Sequence, residues 1–146
     1  MRKASPRLAA VARRVLSSTP REEAACDISV DALKQSCEAL RPRLTELVGR
    51  EGFRALLSRA LALAKAEFPC LDGIQLDDAA TLTGLDEVMP AQELAEREAG
   101  CAAVLAHFLG LLTAFIGTEL TRQVVERTWP DTPVTDADFG TEDGKP

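Results

Sequence analysis

His107 is the sole histidine in this 146-residue chain, and Cys26, Cys37, Cys70 and Cys101 are its four cysteines. Nucleophilic, acid–base or metal chemistry would have to be built from these few side chains. Zinc bound on a helix needs Cys, His or carboxylate ligands three or four residues apart. At those spacings from His107 stand Ala103, Val104, Gly110 and Leu111, none of which can ligate. No two cysteines form a C-x-x-C pair, so the redox and zinc motifs built on that spacing are excluded. A Cys–His nucleophile pair would have to form across helices from Cys26, Cys37 or Cys70, because Cys101 falls on a different helical face from His107.

The carboxylates offer no more. Asp77-Asp78 and Glu22-Glu23 lie in polar segments where nothing would raise a pKa, as a general acid requires. The stretch from Asp72 to Asp77 lacks the ligand order of a calcium loop. There is no G-x-G-x-x-G, no phosphate-binding P-loop and no G-x-S-x-G. We therefore expect no catalytic residue, no cofactor and no metal. His107 reads as a core or interface histidine bonded to a neighbouring group. A thiol-dependent or small-ligand enzyme, with its pocket between helices, is the remote alternative.

The elements that would position these residues are helical. Alanine (23) and leucine (20) dominate the composition against three isoleucines and no tyrosine, which favours helix over strand. Thirteen arginines to four lysines, with no asparagine, suggest a GC-rich bacterial genome. Ser5-Pro6 starts a short helix whose Leu8, Val11, Ala12, Val15 and Leu16 form one stripe. Thr19-Pro20-Arg21-Glu22 is a capping box. The most regular pattern follows: Cys26, Val30, Leu33, Cys37, Leu40, Leu44 and Leu47 alternate spacings of four and three, and Gly49 stops the helix. Pro42 falls on the outer face. The g and e positions carry no complementary charges, so this seam is expected to pack within the chain rather than in a coiled-coil dimer. A third helix spans about 51 to 68, joined to the second as an antiparallel hairpin or one bent helix.

Residues 70–89 read as an irregular loop or small hairpin, with Ile74-Gln75-Leu76 and Thr81-Leu82-Thr83 as the alternating segments. A last long helix opens at Met89-Pro90 and closes at Pro130. Leu94, Cys101, Leu105, Phe108, Leu112, Phe115, Ile116, Leu120 and Val124 line one side of it. Small residues form a strip on the other, and Gly110, Thr113, Ala114, Gly117, Thr118 and Thr121 are the candidate interface. The fold class is thus all-α: a bundle of about four helices with one long C-terminal helix. A single domain is expected over 1–129, with a basic N-terminal arm at 1–17, followed by an acidic, disordered tail at 130–146.

Charge narrows the partners. The net charge is −6, and an acidic body disfavours nucleic acid. Only the first 14 residues, with Arg2, Lys3, Arg7, Arg13 and Arg14, are basic. Arginines interrupt the apolar run behind them, so no signal peptide is expected and the cytoplasm is the expected compartment. Ala99 to Thr118 holds no formal charge and meets the length of a membrane span. Its three glycines and its acidic flanks, Glu98 and Glu119, favour instead a helix buried at the centre of the bundle. Membrane contact is not expected. A peripheral membrane protein, binding through the basic first helix, is the alternative from another class. The expected function is a non-catalytic module that binds a protein partner, itself as a homodimer, or both.

Overall fold

The computed structural model describes residues 6–18, 28–68, 74–77, 82–83 and 94–130. Among them are four helices, α1 (Pro6–Ser18), α2 (Ile28–Glu67), α3 (Leu94–Ile116) and α4 (Thr118–Thr128). A two-stranded hairpin, β1 (Gln75–Leu76) and β2 (Leu82–Thr83), lies between α2 and α3. The protein is all-α, as its alanine and leucine content implies. Met89-Pro90, the expected start of the last helix, and the tail beyond Pro130 lie outside the described residues. So do residues 1–5 of the basic arm, along with Cys26 and Cys70.

α3 is the centre of the bundle. Every residue from Gly100 to Leu109 is buried, so the helix is covered around its whole circumference there, as its all-round apolar composition suits. α1 and α2 both pack on it, and α4 packs on α3 and α2. The stripe of α1 delivers Leu8, Val11, Ala12 and Val15 to the core. The heptad of α2 delivers Leu33, Cys37, Leu40 and Leu44. These side chains are covered inside one chain, so the seam is intramolecular at those positions. Leu47, the last of the pattern, is 44% exposed. Pro42 faces solvent, and the backbone around it remains helical.

Gly49 bends α2. Its φ of 83° and ψ of 164° lie in a region that essentially only glycine enters, and it is the sole non-helical residue within α2. The second arm folds back sharply enough to bring the Arg41 guanidinium 5.0 Å from the centre of the Phe53 ring. Beyond the bend, Phe53, Leu57, Ala60, Leu61 and Ala64 are buried. Phe53 meets Phe108 edge-to-face, with centroids 5.8 Å apart. Glu67 meets His107, the neighbour of Phe108. Phe53 and Glu67 are about 21 Å apart along a helix, yet they reach adjacent residues of α3.

The hairpin pairs Gln75 with Thr83 and Leu76 with Leu82, antiparallel. Ile74 anchors it in the core, and Arg54 donates a hydrogen bond to the Asp77 carbonyl at 2.9 Å.

The last helical stretch is not continuous. It divides at Gly117, where φ is 98° and ψ 160°, so α3 and α4 replace the single long helix expected from the periodicity. The reason is the same as at Gly49. A turn back onto the core needs one residue with positive φ, and glycine takes it without steric cost.

Candidate interaction site around Gly117

The small-residue strip has a different surrounding at each position. Leu8 Cδ1 of α1 lies 3.4 Å from where a Cβ on Gly110 would stand, so α1 of the same chain occupies that face. Thr113 Oγ1 donates to the Leu109 carbonyl at 2.8 Å, bonding along its own helix rather than across to a neighbour. Thr121 is fully buried, and its Oγ1 donates to the Gly117 carbonyl at 2.8 Å. Ala114 and Gly117 are exposed and Thr118 is half-buried. The six candidates are therefore not one face. Gly110 packs against α1 and Thr121 is on the buried face of α4, while Ala114, Gly117 and Thr118 stay at the surface of the joint.

Periodicity alone puts Phe115 and Leu120 on the covered side of the long helix. The break at Gly117 removes them from it. Phe115 is 64% exposed and Leu120 36%. With Leu47 they are the exposed large hydrophobic residues among those described, and each stands within three positions of Gly49 or Gly117. A sequence signal for the break does exist. Gly117-Thr118-Glu119 reads as a stop followed by a helix start with an acid in its first turn, and Arg127 completes the charge pattern at the far end. Arg122 and Glu126 pair at 3.0 Å on the outer face of α4.

The residues with chemical potential are elsewhere. His107 Nε2 lies 2.8 Å from Glu67 Oε1, with only 4% and 13% of the two side chains exposed. The histidine is thus a buried core residue with a carboxylate partner, as its apolar helical neighbours suggest. Glu67 itself was not legible as that partner, since forty residues separate the two. Cys37 and Cys101 are buried thiols. Burial pushes the Cys37 thiol up to about 12, the nearby Glu38 carboxylate adds to this, and Arg41 acts the other way. A thiol held protonated to that extent is a poor nucleophile at neutral pH. Arg41 is held by Glu38, which accepts from Nη2 at 2.8 Å. Among the described residues, no three His, Cys, Asp or Glu side chains gather where they could hold a metal ion.

Comparison with protein-family models, curated proteins and solved structures returned no match. The segment Ala99–Ile116 is long and apolar enough to cross a membrane, and 61% of it is buried inside the bundle. A core helix meets the same length and composition test.

Proposed function

We propose that this chain is a non-catalytic helical module that works by binding protein, with a second copy of itself as its first partner. The exposure of Phe115 and Leu120 on either side of Gly117 carries the reading. Single exposed hydrophobics are ordinary on a soluble surface, whereas a group of them at one joint marks an interaction site. Ala114 and Thr118 supply small neighbours through which a partner helix can approach closely. The buried His107–Glu67 pair and the protonated Cys37 thiol support the non-catalytic part, because neither presents a reactive group at the surface. A cytoplasmic setting goes with this reading, since buried thiols suit a reducing compartment.

Replacing Phe115 and Leu120 together by serine tests it. Sedimentation velocity across the micromolar range is expected to show concentration-dependent association of the wild-type chain. The double variant should lose that association while keeping its helical circular dichroism. A wild-type chain that stays monomeric throughout sinks the self-association. Capture of the wild type, but not the variant, by anionic lipid vesicles replaces the protein partner with a membrane surface.

A further inference from the structure

The joint between α3 and α4 is one residue wide. The Gly117 N–H bonds the Thr113 carbonyl at 2.8 Å as the last rung of α3. Its carbonyl accepts the Thr121 N–H at 3.1 Å as the first rung of α4. Only its own φ and ψ separate two helices from one. Between those rungs, the bonds that would join Thr118, Glu119 and Leu120 to Ala114, Phe115 and Ile116 are not made among the described residues. Gly117 has no side chain with which to cap the free N–H groups of α4. Rotating this one residue into the α region closes the three missing rungs. It also fuses α3 and α4 into a helix of about 35 residues, about 52 Å long. The sequence is patterned for that helix: Leu105, Phe108, Leu112 and Phe115 continue one stripe to the joint, and Ile116, Leu120 and Val124 carry it past.

Such a helix cannot stand alone. Thr121, Val124, Val125 and Trp129 would leave the core, baring both their own face and the surface of α2 and α3 that they cover. The one segment shaped for that vacated surface is α4, supplied by a second copy. We propose that two copies of this chain exchange α4 reciprocally, with Gly117 as the hinge, to form a two-fold domain-swapped dimer. In a reciprocal exchange the two hinge segments meet across the symmetry axis. Phe115 and Leu120, wet in the closed chain, lie on that segment and would cover their own counterparts. The exchange goes beyond the interaction reading above, because it specifies how two copies are joined and not merely which end is adhesive.

Gly117→Ala in the full chain is the test. Alanine is strained at a φ of 98° and favoured in a helix, so the variant should dimerise at least about tenfold more tightly than wild type. Sedimentation velocity reads the association. Trp129, the only tryptophan and buried at the end of α4, reports by its emission that α4 is docked in the dimer. Adding a short Gly/Ser insertion after position 117 in the same variant lets α4 fold back on its own chain and should restore the monomer. A folded, monomeric Gly117→Ala overturns the proposal, and so does a dimer that survives the insertion. If Gly117→Ala fails to fold, the wild-type chain decides. Refolded at high concentration it should give a slowly dissociating dimer that the insertion alone abolishes; a strictly monomeric product overturns the exchange. A dimer lost in the Phe115/Leu120 double variant yet indifferent to the insertion retires the exchange alone and leaves the adhesive-end reading standing.

Discussion

Leu40 and Leu47 belong to the same heptad class, and the tertiary structure gives them opposite fates. Leu40 is fully buried where α2 meets the core, while Leu47 is 44% exposed two residues before the Gly49 bend. Truncating a buried leucine to alanine removes its transfer free energy and leaves a cavity, together about 2–5 kcal/mol. Leu40→Ala should fall near the middle of that range, about 3 kcal/mol, because its neighbours Leu33, Cys37 and Leu44 are held on the same rigid helix and cannot collapse fully into the space. A domain of this size has total stability on the order of 10 kcal/mol, so the variant still folds. Its urea midpoint should drop by roughly 1–2 M, and its melting temperature by about 10 °C. Leu47→Ala loses only part of a leucine's burial and gains alanine's helix propensity, a net change below about 1 kcal/mol. Urea titration followed by circular dichroism, alongside sedimentation, measures both. Equal shifts for the two variants would refute the intramolecular seam, as would folded Leu40→Ala monomers replacing wild-type dimers.

Two further outcomes follow from the buried polar groups. The Cys37 thiol ionises near 9.0 when unfolded and near 12 when folded, so above pH 9 the unfolded state loses a proton that the folded state keeps. Stability present below pH 9 should therefore fall as pH rises towards 12, by about 1.4 kcal/mol per pH unit from this group. Cys37→Ala should show a shallower alkaline decline in urea titrations, and a slope identical to wild type would contradict the burial argument. Glu67→Ala leaves His107 buried without its carboxylate partner and should cost about 1–3 kcal/mol. Replacing both by leucine should recover most of that loss, and a double-mutant cycle with no coupling between the positions would show that the 2.8 Å contact contributes nothing.

Much of the architecture was legible because helix formation is written locally. The spacing of Leu8, Val11 and Val15, of Leu33 to Leu44, and of Phe53 to Ala64 marks a core face without knowledge of what covers it. The absence of charge from Ala99 to Thr118 likewise set apart the helix at the centre of the bundle, and the alternation around Ile74 and Leu82 allowed either a loop or the small hairpin that forms. His107 among Ala103, Val104 and Leu111 was readable as a core histidine.

Tertiary structure decided what periodicity cannot express. The apolar spacing includes Leu47, Phe115 and Leu120 with the buried positions around them, because spacing records a direction around a helix and not whether the axis continues. Two positive-φ glycines turn the axis at Gly49 and Gly117, and that rotation leaves Leu47, Phe115 and Leu120 at the surface. Gly110 and Gly117 look alike in a strip of small residues. Only the packed chain shows that one accommodates Leu8 and the other bends the backbone. Long-range pairs such as Glu67 with His107 and Arg54 with Asp77 depend on how α2 crosses its neighbours, which local spacing does not encode. Local spacing marked the apolar stripe of each helix. Where each helix turned, and so which apolar side chains were left at the surface, depended on two glycine dihedrals and on the packing that holds them.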